Sequence, residues 1–265
     1  MKILITGAHG FVGNRLMQDL DDTVAAPSMR GMNEEQIRNM IEKSRADVII
    51  HTAAISDVGT CEKDPGASYE ANVRLPLFLA KAAKEQKLIC FSSDQVYRGC
   101  AGEGPYKEED ASPCNVYGRH KLEMEQKVLD VKPDAVMLRA EWMYDYPTKR
   151  SNYLRMLLNE KQVLTFGKQY RGITYLREVA ESMPKIFMLP GGVYNFGSET
   201  KQTMYDITCE MLHFLKSDRK PEEVPPAHNL WMDCTKAKER GILFSDAKEG
   251  LKRCLKDYHL AKDRE

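Results

Sequence analysis

The sequence has no excess of charge of either sign and no long apolar run. It carries 39 basic and 39 acidic residues, so net charge gives no support to nucleic-acid or anionic-membrane partners. No window approaches the ~20 apolar residues of a membrane span. The apolar part of MKILITGAHG is too short for a signal peptide. We therefore expect a soluble, cytoplasmic protein.

Paired cysteines are also missing. The seven cysteines are an odd number and form no CxxC pair, which argues against a disulfide framework and a zinc knuckle. No group of His, Asp and Glu has metal-ligand spacing, so we expect reduced thiols and no metal. Apolar residues make up 42% of the chain, enough for a substantial core without such devices.

The sequence does contain a regular alternation of short apolar runs and amphipathic stretches. The apolar runs predict strands at 2–6, 23–26, 47–51, 88–92 and 135–139. The stretches between them predict helices at 11–19, 33–44, 69–86 and 117–129. This alternation is typical of an α/β fold, a Rossmann-type doubly wound parallel sheet with helices on both faces.

After about residue 140 the pattern loosens. We expect a single domain over 1–265, with a small irregular C-terminal substrate lobe formed by segments near 143–175 and 198–265. The predicted elements are short strands near 163–166 and 193–196, helices at 152–159, 174–188, 203–215 and 245–258, and loops at 94–114 and 217–228.

TGAHGFVG places Gly7, Gly10 and Gly13 between the first strand and the first helix. Glycines let the backbone turn tightly and approach a pyrophosphate, whose charge the helix N-terminus stabilises. The position directly after an N-terminal strand predicts a dinucleotide-binding site. A glycine-rich turn without a ligand is the alternative.

The residues around the second strand bear on which dinucleotide binds. An NAD site usually ends that strand with an acidic residue for the ribose 2′-hydroxyl. Here Asp21 and Asp22 precede the strand, and Ser28 and Arg30 follow it. Ser28 and Arg30 could hold a 2′-phosphate, with help from Arg15, so we expect NADP(H), with NAD(H) as the alternative. Arg30 could equally be a solvated loop residue.

NVYGRHKLE at 115–123 places Tyr117 and Lys121 on one face of a helix. A nearby ammonium favours phenolate, so we expect Lys121 to lower the Tyr117 pKa from its usual value of about 10. Tyr117 would then be a general acid for a ketone under reduction. The preceding strand ends in Ser92 and Ser93. We expect Ser93 to polarise the carbonyl oxygen, with Ser92 as the competing choice.

These segments resemble a known family. TGAHGFVG, HTAA at 51–54, SSDQVY at 92–97, NVYGRHK at 115–121 and LRAEWMY at 138–144 are similar to the extended short-chain dehydrogenase/reductases, in particular the dTDP-4-dehydrorhamnose reductase-like, sugar-nucleotide-binding subfamily. GITYLREVA at 172–180 resembles a later segment of that subfamily. The resemblance implies an NADPH-dependent oxidoreductase that reduces a 4-keto-6-deoxy sugar nucleotide. The helices at 69–86 and 117–129 could form a homodimer interface, as in many relatives.

The resemblance also implies roles for individual residues. Ser93, Tyr117 and Lys121 would be catalytic, and Asp94 and Trp142 would face the sugar. Trp142 could instead be a core or hinge residue. With Ser28 and Arg30 included, the expected cofactor-binding set is Gly7, Gly10, Phe11, Val12, Gly13, Ser28, Arg30, Ala53, Ala54, Asn72 (the structural asparagine of the long helix) and Lys121.

Two departures from the family pattern bear on the reaction. Gln95 stands where sugar-nucleotide dehydratases have the acidic second member of an Asp-Glu pair, so dehydration is disfavoured. Glu141 stands where the rhamnose enzymes usually have a small hydroxyl residue. A carboxylate at this position would alter selectivity for the substrate. The alternatives are an NAD-dependent sugar-nucleotide epimerase and a non-catalytic NADP-binding regulatory subunit like that of methionine adenosyltransferase.

Overall fold

The structure, a computed structural model, describes residues 1–148 and 150–260. The strands in this part of the chain are β1 (Ile3–Thr6), β2 (Thr23–Ala25), β3 (Val48–His51), β4 (Lys87–Ser93), β5 (Val136–Ala140), β6 (Trp142–Tyr144), β7 (Thr165–Phe166), β8 (Ile173–Tyr175), β9 (Gly192–Phe196) and β10 (Glu222–Glu223). Six of them form a parallel sheet in the order β2–β1–β3–β4–β5–β9. The order confirms the predicted doubly wound α/β fold.

Some of the helices cover both faces of this sheet, and others belong to a smaller C-terminal lobe. They are α1 (Phe11–Asp19), α2 (Glu34–Ser44), α3 (Val58–Lys63), α4 (Pro65–Tyr69), α5 (Leu75–Ala82), α6 (Val116–Val131), α7 (Tyr153–Leu158), α8 (Leu176–Ile186), α9 (Met204–Phe214), α10 (Thr235–Lys238) and α11 (Ala247–Asp257), with a π turn at Glu70–Arg74 and 3₁₀ turns at Asp94–Tyr97 and Glu108–Asp110. Ile3 and Ile5 of β1 pack with α1 and α8. Leu4 points to the other face and packs with α2, α5 and α6. Both faces of β1 are therefore buried, which explains its continuous apolar sequence.

A third apolar cluster forms the smaller C-terminal lobe. It joins α7, α9 and α11 to the short parallel pair β6–β8. The strand predicted near 163–166 is reduced to β7, which pairs with β10 inside the predicted loop at 217–228. The helix predicted at 174–188 begins only at Leu176, because Ile173–Tyr175 pairs with β6. That the whole chain is one domain stays a prediction.

The helix predicted at 69–86 is wrong at both ends. Helical structure begins at Pro65, where the side chain of Asp64 accepts a hydrogen bond from the Ala67 backbone nitrogen at 2.9 Å. It ends at Ala82, because the chain must turn before β4 begins at Lys87. The π turn between α4 and α5 adds a local widening that apolar periodicity does not reveal.

Candidate active site

Four strand ends meet at one edge of the sheet. Gly7 follows β1, Ala53 lies after β3, Ser93 ends β4 and Glu141 follows β5. All four line one cavity of about 650 Å³, a size suited to a small-molecule ligand. The chain crosses from one side of β1 to the other between β2 and β3, and doubly wound folds bind ligands beside such a switch point.

The glycine loop leaves room for a ligand that carries phosphate. Gly7 has a φ of +71°, and a Cβ there would lie 2.7 Å from the Ala53 backbone nitrogen. A Cβ at Gly13 would lie 2.2 Å from the Gly7 carbonyl oxygen, so α1 approaches the loop only because this residue is glycine. Helix α1 begins at Phe11 with no side-chain cap and no acidic residue in its first turn. Its N–H groups and positive end suit an anion, so the loop fits a dinucleotide pyrophosphate.

Tyr117 and Lys121 lie at the start of α6, and both line the cavity. The side chain of Asn115 caps this helix by accepting a hydrogen bond from the Gly118 backbone nitrogen at 2.7 Å. Lys121 Nζ lies 5.8 Å from the centroid of the Tyr117 ring. It also donates a hydrogen bond to the Phe91 carbonyl oxygen at 2.8 Å. The two side chains share one face of the helix, as their spacing predicts.

Burial dominates the pKa of Tyr117. The residue is 6% exposed, and desolvation raises the pKa of Tyr117 well above its usual value. A hydrogen bond with Ser93 and the charge of Arg150 oppose this rise without cancelling it. The prediction that Lys121 lowers this pKa is therefore wrong in this structure. The Lys121 ammonium lies beside the ring and is bonded to a backbone carbonyl, so its charge does not offset the desolvation.

Lys121 gives the stability of the protein a pH dependence of defined sign. Burial lowers the pKa of Lys121 to about 8, from the ordinary value of 10.5. Between these values the unfolded chain binds more protons than the folded chain, so the free energy of unfolding rises with pH. We expect wild type to gain about 3 kcal/mol relative to Lys121→Met as the pH rises from neutral through this window.

Urea unfolding of both proteins across that pH range measures the difference. In Lys121→Met, the hydrogen bond to the Phe91 carbonyl is lost and the packing changes. Both effects shift the difference in free energy of unfolding by an amount that does not vary with pH. A difference between the two proteins that stays flat from neutral pH to pH 10.5 would mean that Lys121 titrates at its ordinary value.

The two adjacent serines at the end of β4 have different partners. Ser92 Oγ donates a hydrogen bond to Glu125 Oε1 at 2.5 Å. Ser93 Oγ accepts one from the Gln95 backbone nitrogen at 3.2 Å and lies within hydrogen-bonding reach of Tyr117. The geometry therefore favours Ser93 over Ser92 as the hydroxyl that meets a carbonyl oxygen beside Tyr117.

A buried ion pair supports this edge of the sheet from below. Arg139 Nη2 lies 2.7 Å from Glu125 Oε2, and the two side chains are 3% and 2% exposed. Arg139 Nη1 also donates a hydrogen bond to the Tyr97 hydroxyl at 2.7 Å. Tyr97 in turn donates to Asn195 Oδ1 at 2.6 Å. This network ties α6, β5 and β9 together directly under the serines.

Asp94 and Trp142, both predicted to face the sugar, line the cavity with Arg171 between them. Arg171 Nη2 donates to Asp94 Oδ2 at 2.8 Å, and the Arg171 guanidinium lies 5.3 Å from the centroid of the Trp142 ring. Trp142 also packs edge-to-face against Tyr153, so it belongs to both the lobe core and the cavity wall. Arg171 was not among the residues predicted from the sequence, although it directly precedes GITYLREVA, a segment that resembles the family.

A second missed group lies at the mouth of the cavity. Arg150 Nη2 donates a hydrogen bond to Ser56 Oγ at 2.8 Å, which joins the segments that follow β6 and β3. Asn152 lines the cavity beside it and is 2% exposed. Asn152 Nδ2 donates to the Asp145 carbonyl oxygen at 3.0 Å and holds this segment in place.

The three residues expected near a 2′-phosphate are not among the residues that line the cavity. Ser28 and Arg30 are exposed, and the Arg30 backbone nitrogen donates a hydrogen bond to Ser28 Oγ at 3.4 Å. Arg15 is buried and forms ion pairs with Asp19 at 2.6 Å and Asp145 at 2.9 Å. The expected help from Arg15 is therefore wrong, because its guanidinium is already bound within the protein.

Asn72 and His51 support the site from within the core. Asn72 is fully buried. Its Nδ2 donates a hydrogen bond to the Ile55 carbonyl oxygen at 2.9 Å, and its Oδ1 accepts one from the Ile55 backbone nitrogen at 3.2 Å. It thus supports the loop that contains Ala53 and Ala54, and it is not among the residues that line the cavity. Its place among the cofactor-binding residues stays a prediction. His51 Nδ1 bonds Thr6 Oγ1 at 2.7 Å. Burial lowers the pKa of His51 to about 3, so this histidine is neutral.

Within residues 1–148 and 150–260, no group of three or more His, Cys, Asp and Glu side chains is placed to hold a metal ion. No helix in the same ranges is long and apolar enough to cross a membrane. All seven cysteines are free thiols.

Comparison with known sequences points to one family. The family model described as the RmlD substrate binding domain matches residues 1–260. The chain is 28% identical over 243 residues to the dTDP-4-dehydrorhamnose reductase of Aggregatibacter actinomycetemcomitans, covering 84% of this chain and 82% of that protein. It is also 27% identical over 278 residues to the methionine adenosyltransferase 2 subunit beta of Rattus norvegicus, covering 91% and 83% of the two chains.

Comparison with solved structures supports the fold. A dTDP-4-dehydrorhamnose reductase from Bacillus anthracis, solved in complex with NADP, superposes with a TM-score of 0.86 and 22% identity. The match covers 97% of this chain and 99% of the other. At this identity the likeness shows a shared fold.

Proposed function

The chain belongs to the RmlD substrate-binding-domain family, and from that premise we propose that it is an NADPH-dependent reductase of a 4-keto-6-deoxy sugar nucleotide. The observation that carries the proposal is the convergence of Ser93, Tyr117 and Lys121 on one cavity with the glycine loop. The dTDP-4-dehydrorhamnose reductases among its relatives support the substrate class.

In this proposal the glycine loop holds the cofactor. Gly7, Gly10 and the first-turn N–H groups of Phe11 and Val12 would hold its pyrophosphate, and Gly13 would contribute by letting α1 approach the loop. The segment at 53–54 flanks it on the other side. The exposed pair at 28 and 30 binds the 2′-phosphate, which favours NADP(H). When bound, NADPH supplies the hydride for the keto carbon.

The chain's own residues supply the proton and the orientation. Tyr117 donates its hydroxyl proton to the oxygen of the reduced carbon, and Ser93 stabilises the negative charge that develops on that oxygen. Lys121 keeps two N–H donors after its bond to the Phe91 carbonyl, and these bind the nicotinamide ribose. Asp94 and Trp142 face the sugar.

A reduction assay with two cofactors tests the proposal. We expect rapid loss of reduced-nicotinamide absorbance when the protein is mixed with NADPH and dTDP-4-keto-6-deoxy-L-mannose, and slower loss with NADH in parallel. Equal rates with both cofactors would overturn the assignment of the 2′-phosphate site. Tight NADPH binding without turnover of this or other keto sugars would remove the reductase proposal.

A regulatory role is the second candidate, because the chain is similar to the methionine adenosyltransferase 2 subunit beta over 91% of its length. It predicts NADP(H) binding without turnover and recovery of a stoichiometric enzyme partner in a pull-down. An epimerase would instead convert a sugar nucleotide with no added reductant. A homodimer through the helices at 69–86 and 117–129 and a cytoplasmic location stay predictions.

A further inference from the structure

Glu141 places a carboxyl group without a cationic partner in the wall of the active-site cavity. It lines the cavity directly after β5 and is 5% exposed. Among residues 1–148 and 150–260, no cation lies within ion-pair distance of this carboxyl. Arg171, which faces the same part of the cavity, is paired with Asp94 at 2.8 Å. An ionised carboxylate buried in this way would be strongly disfavoured.

Two glycines form a slot that fits this carboxyl. A Cβ at Gly172 would lie 2.0 Å from Glu141 Oε1, and a Cβ at Gly197 would lie 2.3 Å from Glu141 Oε2. Real Cβ atoms do not approach other atoms this closely, so the carboxyl can occupy this position only because both residues lack a side chain. The carboxyl therefore lies between the end of β5, the start of β8 and the end of β9.

A short hydrogen-bond chain distinguishes the two oxygens. The Ser198 backbone nitrogen donates to Thr174 Oγ1 at 2.9 Å, and Thr174 Oγ1 donates its single proton to Glu141 Oε2 at 3.0 Å. With Oε2 accepting from Thr174, Oε1 is the oxygen left to carry the proton of a neutral acid. Oε1 lies nearest Gly172, which follows Arg171 in the cavity wall.

The surrounding groups agree with a neutral acid. Burial raises the pKa of Glu141 well above its ordinary range, and the negative charge of Asp94 acts in the same direction. The hydrogen bond from Thr174, the charge of Arg171 and a hydrogen bond from the Ser198 backbone act the other way and are weaker than burial. Cys234, whose own pKa is raised by burial first and then by Glu141, brings no positive charge.

We propose that Glu141 is a specificity-determining residue that acts as a neutral acid, donating a hydrogen bond from Oε1 to an oxygen of the substrate sugar. The inference rests on the proposed function, since it assigns a contact within the same site. It names the substrate class as a sugar with an oxygen acceptor at that point. An ionised carboxylate in this slot would instead suit a sugar that carries an ammonium group.

Two matched substitutions test the proposal. Glu141→Gln keeps the shape and places an N–H donor where Oε1 lies, so kcat/KM for the keto sugar stays within about threefold of wild type. Glu141→Asp keeps the acid but withdraws it from the sugar, so KM rises about tenfold to a hundredfold with a smaller change in kcat.

In wild type, KM for the keto sugar also rises at alkaline pH as the acid ionises, and Glu141→Gln lacks this rise. A loss of more than about thirtyfold in Glu141→Gln, with unchanged thermal unfolding, overturns the proposal.

An infrared measurement separates this inference from the proposed function. The difference spectrum between wild type and Glu141→Gln at neutral pH shows the carbonyl band of a protonated carboxylic acid, and its absence overturns the inference whatever the activity. If wild type reduces no keto sugar, calorimetric binding of the reduced dTDP-6-deoxyhexose to both proteins replaces KM. Equal affinity supports the neutral acid, and loss of binding in Glu141→Gln overturns it.

Discussion

Replacing Tyr117 with phenylalanine is expected to lower kcat by about 100-fold to 10,000-fold while leaving NADPH affinity unchanged. The ring lies against Lys121 and phenylalanine fills the same volume, so only the proton donor is lost. The loss of NADPH absorbance during turnover of the keto sugar measures kcat, and a fluorescence titration measures NADPH affinity separately.

Tyr144→Phe is a matched control for this variant. Tyr144 is also fully buried, but its hydroxyl has no hydrogen-bond partner among the described residues. Removing that hydroxyl is expected to leave both activity and NADPH binding intact and to leave stability equal or slightly higher. Full activity in Tyr117→Phe would show that another group protonates the sugar oxygen. Loss of NADPH binding in that variant would show that the hydroxyl holds the cofactor instead.

Replacing Arg139 with methionine is expected to lower the free energy of unfolding by about 3–5 kcal/mol. The substitution leaves the Glu125 carboxylate buried at 2% exposure without its cation. It also removes the donor to the Tyr97 hydroxyl. Urea unfolding at neutral pH measures the effect, and an unchanged dependence on urea concentration would confirm that the unfolded state is the same.

Two further variants test the cause of this loss. Arg177→Met removes an arginine from surface ion pairs with Glu181 and Asp257, where its side chain is 45% exposed, and is expected to lose no more than about 1 kcal/mol. Replacing Glu125 and Arg139 together by apolar residues is expected to lose less than Arg139→Met alone, since no unpaired charge remains. A double variant as unstable as the sum of its single variants would point to packing as the main cause.

The parts of the molecule that were predictable from sequence are those fixed by local chemistry. The strand Ile3–Thr6 has a continuous apolar run because both of its faces are buried. The glycine loop is recognisable because backbone approach at Gly7 and Gly13 tolerates no side chain. The spacing of Tyr117 and Lys121 follows from helix geometry alone. For these features, the neighbours in sequence are also the neighbours in space.

The parts that were missed depend on contacts between distant segments. Arg171 reaches Asp94 across 77 positions of the chain, and Arg150 reaches Ser56 across 94. The short pairing of β6 with β8 brings the first of these together, and three-residue strands give no clear periodicity. Burial likewise decided the pKa of Tyr117, and burial depends on the whole fold.

The slot around Glu141 also restricts the order in which this pocket can be altered. While the glutamate keeps this position, alanine at Gly172 or Gly197 would place a methyl group 2.0 or 2.3 Å from a carboxyl oxygen, so either change displaces the Glu141 side chain. Shortening residue 141 to serine leaves a void, and a later alanine at one of the two glycines can fill it. Changing position 141 first therefore makes room for a side chain at either glycine, whereas changing a glycine first displaces the carboxyl from its slot.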